Sequence, residues 1–491
     1  MICVLAQNTT LDKITKAHFE KKIEEGKFSK VETELFKYVV ANPKDAIGFF
    51  LLAKLRLKQN RLNEAKSLSQ KTLTLDPHLL SAKLILAEVY IQMGETEQAR
   101  AVLNDISERE ISESSIRLNI AQTFALAGDC SGALKAVDKL PSRVKNNEAL
   151  PIRAACFFES DDEKSFASLV PFAKTAAKQN PQVAIKFAEV MSKGSHHREA
   201  ADLLRLVIFS SPKNTTALLL LAKSEIYLKD LLNAKIHLTQ VERLQPDSSE
   251  LLFVKSVLES EQGNNARSLE LLEKSIAANP DNIEVLAQFV VSAMRANQAG
   301  KAVQAAKKLI DLKPDNLEFL YLYGAASLQN NNLQKAETSL TKYVESRPND
   351  SRGCLALGLT LAAQTDKLSE TRQQFLHCLG INPNNYEAAY QLGLSYKTQG
   401  ESAKAIEYLE QTVQLSPNYA LGLRDLGAVY IQTGAEARAR PVLEKATLLN
   451  PNDADTHFQL SRLYNIIGEH ELGKKHLQIF QKLKNPTKNG M

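Results

Sequence analysis

Between Asn418 and Pro451 the chain carries two short stripes of apolar and small residues separated by a turn. Leu423, Leu426, Gly427 and Tyr430 recur at helical spacing, and Ala439, Leu443 and Ala446 do so again after Gly434. Steps of three and four place such residues on one helix face, so the spacing predicts two helices whose stripes bury each other. Gly434 falls where the chain must reverse, at a position suited to a left-handed backbone. Asn450-Pro451 ends the second helix, and the following Asn452-Asp453 offers a side-chain oxygen to cap the next one. Gly427 and Ala439 predict a close approach of the two helices, which larger side chains would splay.

The same pattern returns along the chain. Leu392, Gly393, Tyr396, Gly400, Ala405, Leu409 and Pro417 occupy equivalent places one unit earlier. Tyr323, Gly324, Ala336, Leu340, Tyr343 and Pro348 repeat it, and Leu86, Ala87, Tyr90, Gly94, Ala99 and Leu103 carry it into the N-terminal third. Pro212, Pro246, Pro280, Pro314, Pro348, Pro383, Pro417, Pro451 and Pro486 mark steps of 34 or 35 residues. A fixed period of this length means one supersecondary unit copied many times. A chain built wholly of copies leaves no room for a separate catalytic domain.

These residues resemble the tetratricopeptide repeat family, whose pattern places Leu-Gly, Tyr, Gly, Ala and Pro at fixed slots of a 34-residue unit. The resemblance covers nearly the whole chain, as about 14 units from near residue 12 to near residue 485. It implies an all-α fold, a right-handed α-solenoid of antiparallel helix pairs, flanked by tails at residues 1–11 and 486–491. Pentatricopeptide repeats share the helix-pair period but use polar code residues on the first helix. Here the fifth slot runs through Phe50, Leu84, Leu219, Phe253, Tyr321, Tyr390 and Phe458, which is no polar code. The pattern is weakest at about residues 105–180. Ile111 replaces the expected proline there, and Pro141, Pro151 and Pro171 fall out of phase. That stretch reads as a degenerate but folded set of repeats, or as a change of pitch or hinge.

Composition narrows the function classes. With 61 Lys+Arg against 56 Asp+Glu, the formal charge is +5, small for 491 residues and gathered in no single basic block. Electrostatic binding of nucleic acid needs a localised patch, and no tryptophan is present to stack bases. No nucleic-acid partner is therefore expected. No apolar run reaches the roughly 18 residues of a membrane span. The start, Met1-Ile2-Cys3-Val4-Leu5-Ala6-Gln7, places Val4 and Ala6 as a signal-peptidase site would, without a basic or full apolar segment before them. It reads as a frayed terminus or as the remnant of a signal peptide; the compartment is cytoplasmic in the first case, periplasmic or secreted in the second. Cys130, Cys156, Cys354 and Cys378 read as small packing residues, although Cys354 and Cys378 lie on the two helices of one unit, where contact can occur.

No catalytic or cofactor motif emerges, no strand is expected, and no cofactor or metal is assigned. His196-His197 are adjacent and so point apart, and Asp161-Asp162-Glu163 lacks the spaced oxygens and turn glycine of a calcium loop. Both read as solvated turns. In a superhelix of this family the first helices line a concave groove. The Lys and Asn of a carboxylate clamp are missing there, since Arg424 in the fifth slot is accompanied by Ala428 in the ninth. An asparagine ladder in the sixth slot is missing too. What remains is a mixed apolar strip, and Phe253, Val257, Tyr321, Tyr390, Arg424, Phe458 and Arg462 are the candidate partner-binding residues. The last helix, near Glu469 to Lys484, mixes Leu472, Leu477, Phe480 and Leu483 with lysines. Either it caps the stack itself or its apolar edge supports self-association. The function expected is a non-catalytic scaffold or adaptor that holds protein or peptide partners. The alternative is an assembly or secretion factor at a bacterial envelope.

Overall fold

The computed structural model describes residues 13–24, 28–107, 111, 113–364 and 366–484. The expectations for Cys3 and the N-terminal signal-like segment, and for the C-terminal tail, lie outside them. Twenty-nine helices follow one another, and no strand occurs among the described residues. The chain divides into two compact units, Met1–Val254 and Lys255–Met491, with the division falling inside the helix Ser249–Glu261.

The second unit shows most plainly how the sequence makes a pair. Asp453 takes an extended backbone and accepts a hydrogen bond from the Thr456 N–H at 3.2 Å, starting the helix Ala454–Ile466. Asn282, Asn316, Asp350 and Asn385 do the same for the first helices that follow them. Each satisfies an N–H that the helix cannot bond internally. Between the helices of a pair, Gly400, Gly434 and Gly468 hold φ of 76°, 73° and 82°. Where glycine is missing, Asn297 and Asn331 take the left-handed conformation, which asparagine tolerates better than most residues.

Inside the pair the small residues set the separation. A Cβ placed on Gly427 would stand 2.4 Å from Leu443 Cγ, and the equivalent distances are 2.8 Å for Gly393 with Leu409 and 2.6 Å for Gly324 with Leu340. The opposing alanines Ala336, Ala405 and Ala439 are fully buried. Second helices then pack between the first helix of their own pair and that of the next. First helices also touch in sequence, from Leu317–Gln329 through Ser351–Ala362, Tyr386–Thr398 and Ala420–Gln432 to Ala454–Ile466. This unit is an α-solenoid.

One covalent link corrects the reading of the cysteines as packing residues. Cys354 and Cys378, on the two helices of one pair, are disulfide-bonded with Cα atoms 5.6 Å apart. The close approach of the helices brings them within the span a disulfide needs. Cys130 and Cys156 are free thiols. At the C-terminal end, His457 Nε2–H donates to the Pro451 carbonyl at 3.0 Å, which leaves His457 Nδ1 to accept from His476 Nδ1–H at 2.8 Å. The last helix, His470–Lys484, is pinned there and by Phe480, whose ring centroid lies 5.2 Å from that of Phe458.

The first unit is built of the same pairs but is less regular at its centre. The helix Cys130–Asp138 has only 9 residues, and Pro141 precedes a single turn, Ser142–Lys145. Pro151 sits in the first turn of Leu150–Glu159, where its missing N–H costs nothing. Pro171 lies within the 17-residue helix Glu163–Gln179. The core remains continuous there, with Leu150, Phe166, Leu169, Ala184, Phe187 and Leu204 all buried.

Replacing Gly427 by valine should cost about 1–3 kcal/mol, because the added carbons overpack a site closed by Leu443. Hydrogen exchange should report that loss in the helices Ala420–Gln432 and Glu436–Leu449. Gly434→Ala should cost about 1–2 kcal/mol for a different reason, its φ of 73°, since a Cβ there meets no atom within 4 Å. Unchanged protection in Gly427→Val would show that the close approach does not set the pair.

Candidate protein-docking face

The first helices of the second unit turn one row of residues inward against their own second helices and leave another half-buried. Tyr321, Leu355, Leu359 and Leu394 belong to the half-buried row. Each of these residues packs partly against the core of its own or a neighbouring pair.

The seven residues singled out from the sequence fall in different surroundings. Phe253, in the first unit, is buried with the Lys223 ammonium 5.5 Å from its ring centre. Val257, in the second unit, is buried. Tyr321 is half-buried and carries the Arg352 guanidinium 5.0 Å from its ring centre. That cation is held in turn by Asp350 at 2.9 Å and, from the preceding pair, by Glu318 at 3.1 Å.

Tyr390 and Arg424 meet at a residue the sequence reading passed over. Asp425 is 5% exposed and accepts from Tyr390 Oη at 2.8 Å, Lys397 Nζ at 2.6 Å and an Arg424 guanidinium nitrogen at 2.9 Å. Burial pushes the Asp425 pKa up, but Lys397 and Arg424 outweigh it and hold the carboxyl below its ordinary value. Burial, then the Asp425 charge and hydrogen bond, push the Tyr390 phenol well up. Arg424 also reaches Asp453 at 3.5 Å. Its charge is thus largely answered within its own chain. Tyr390, at 6% exposure, lies beneath the surface with its ring edge-on to Tyr419.

Phe458 and Arg462 differ from these. They stand four residues apart on the helix Ala454–Ile466 and therefore share a face. Phe458 is 38% exposed. Arg462 is exposed, donates to Gln459 Oε1 at 3.2 Å and, among the described residues, has no acidic partner. Tyr321, Leu355, Leu359 and Leu394 are thus half-buried, whereas Phe458 and Arg462 are exposed. Among the described residues no group of three or more His, Cys, Asp and Glu side chains converges as a metal site requires, and no helix is long and apolar enough to cross a membrane.

Capped helix pairs, left-handed turns and small-residue contacts repeated in tandem define an α-solenoid repeat protein. The tetratricopeptide repeat family model matches residues 56–110, 293–353 and 396–462, in both units. The matched stretches are tetratricopeptide repeats. A search of curated proteins finds no match. Among solved structures the chain is similar to the APC/C hetero-tetramer Cut9–Hcn1, at 17% identity and a TM-score of 0.46 over 94% of this chain and 97% of that one. A tetratricopeptide repeat protein from Parabacteroides merdae matches at 18% identity and 0.43, over 54% and 98%. YrrB, a TPR protein with an unusual peptide-binding site, matches at 19% and 0.31, over 38% and 95%. At these scores the likenesses carry no argument about partners.

Asp425→Asn should destabilise the second unit by about 1.5–3 kcal/mol at neutral pH, because Lys397 and Arg424 lose their shared countercharge. The native pKa is depressed, so the carboxylate's contribution is present above the unfolded value of about 3.9 and is lost as pH falls through the native one. Urea unfolding of both proteins should show a gap that is full at neutral pH and narrows below about pH 4. A gap independent of pH would show that the charge of Asp425 is not what matters.

Proposed function

We propose that the chain is a non-catalytic scaffold that holds a protein partner, and that the first-helix face of the second unit docks a peptide or helix of that partner. The observation that carries this reading is the half-buried row of Tyr321, Leu355, Leu359 and Leu394, with Phe458 and the unpaired Arg462 on the last first helix. An amphipathic segment could lay its apolar side along such a row and set a carboxylate against Arg462. Buried aromatic and arginine anchors carry most of the energy in interfaces of this kind. Tyr390 and Arg424 act beneath the row, shaping it rather than meeting the partner, and Val257, on the helix Ser249–Glu261, is buried. The lysine-bearing outer side of the last helix fits a solvated cap better than a self-association surface.

The test is capture and cross-linking of partners by the intact chain, followed by affinity measurement with the partner peptide so found. Phe458→Ala/Arg462→Glu should weaken that binding by roughly 30-fold or more, the loss expected of an anchor pair, with helical circular dichroism unchanged. Equal affinity for wild type and variant would remove this face from consideration.

The second reading, an assembly or secretion factor in an oxidising compartment, is favoured by the Cys354–Cys378 bond, because disulfides persist chiefly outside the reducing cytosol. Chain recovered from native cells with thiols trapped by iodoacetamide should yield the Cys354 and Cys378 peptides still linked, with Cys130 and Cys156 alkylated. Alkylation of Cys354 and Cys378 as well would point instead to a reducing compartment.

A further inference from the structure

The two short turns that read as solvated loops in the sequence come together in the first unit. Asp161 and Glu163 lie at the turn between the helices Leu150–Glu159 and Glu163–Gln179, and His196 lies between Pro181–Lys193 and His197–Ser210. Between these turns is a cavity of about 310 Å³. Its wall is apolar, with Phe166 and Met191 buried, Phe157 half-buried and Phe158 exposed. Phe166 is fixed by stacking on Phe187 at 5.5 Å and on the His196 ring at 5.7 Å. Gly194 makes room for Phe158, since a Cβ there would stand 2.5 Å from the Phe158 ring.

The rim has a single sign. Asp161, Glu163 and Glu199 are exposed, and among the described residues none has an ion pair or a side-chain hydrogen bond. No lysine or arginine lines the cavity. Elsewhere the chain answers its carboxylates readily, as Lys66 does for Glu95 and Lys367 for Glu337. Three unanswered carboxylates around an aromatic wall attract a cation twice over, through their charge and through the negative faces of the rings. The volume stands at the low end for small-molecule pockets, which begin near 300 Å³, and suits one long side chain.

We propose that this cavity receives a lysine or arginine side chain of a partner peptide, its aliphatic stem against Phe158, Phe166 and Met191 and its charged head among Asp161, Glu163 and Glu199. The site stands apart from the first-helix face of the second unit and does not depend on that face being used.

Met191 supplies the reporter, since the chain has only 5 methionines and this one lines the cavity. The intact chain, labelled with 13C at the methionine methyls, is titrated with Nα-acetyl-lysine methylamide, with the arginine equivalent, and with the uncharged norleucine equivalent. The two cationic probes should shift the Met191 signal saturably, with dissociation constants on the order of 1 mM, the strength of a single weak contact. Glu163→Gln/Glu199→Gln should weaken that binding at least 5-fold, by loss of charge complementarity. Norleucine should leave the signal in place, and the Met93 and Met294 signals should match between wild type and variant if both are folded alike. An equal response to norleucine would make the cavity merely apolar. No response to either cation, or an affinity unchanged in the variant, would overturn the proposal.

Discussion

Everything in this chain depends on how closely the two helices of a pair can approach. The limit is set where Gly324, Gly393 and Gly427 face Leu340, Leu409 and Leu443, each glycine leaving no room for a methyl group. Fixing that distance fixes where the second helix presents its outer side to the next pair. An error there would be passed along the stack, because each pair contacts little beyond its neighbours. Polar links then fasten one pair to the next at nearly constant sequence separation. Arg372 holds Glu401, Lys397 holds Asp425, Arg440 holds Glu469, and Arg438 holds Glu410. The last two are exposed and individually weak. They act on a geometry that the glycines have already fixed.

The repeat was legible because its determinants are local: a capping Asp or Asn, a left-handed turn and two stripes lie within one 34-residue unit. What escaped reading was contact between units. In the sequence Asp425 is one sixth-slot residue among others. An acid among Leu423, Leu426 and Gly427 has to be paired, and its partners Tyr390 and Lys397 lie 35 and 28 residues away. The same network explains why Tyr390 and Arg424 are poorer candidates for direct contact than Phe458 and Arg462. A slot name fixes a direction from the helix axis, and the neighbouring pair decides how much of that direction is covered. On the helix Ala454–Ile466, Phe458 and Arg462 are exposed.

The irregular centre of the first unit follows from the same constraint. In the regular pairs the turn residue is a left-handed glycine such as Gly400 or Gly434. At residues 194–196 the left-handed position passes to Ser195, φ 63°, and the glycine before it has an ordinary backbone. Gly194 is used for space instead, since Phe158 fills the volume its side chain would take. The helices here are uneven in length, 9 residues in Cys130–Asp138 and 17 in Glu163–Gln179. The turns at residues 161–163 and 194–196 border the cavity that Phe158, Phe166 and Met191 line.

A net charge of +5 conceals an uneven distribution of unanswered charge. The open cation Arg462 lies beside Phe458 in the second unit, whereas Asp161, Glu163 and Glu199 stand unpaired around an aromatic cavity in the first. Exposed ion pairs contribute little to stability, so pairing these groups would gain the fold almost nothing. Leaving them unpaired costs equally little, and on the proposed reading the two surfaces would select ligands of opposite sign. Electrostatic complementarity acts mainly on partner choice and on association rate. Each surface also has aromatic area beside its charge, so a bound side chain would gain from burial as well as from charge. The combination favours segments in which an apolar stretch and a charge of one sign lie close together, and it makes binding at either surface sensitive to salt over the range where the screening length falls to about 10 Å and below.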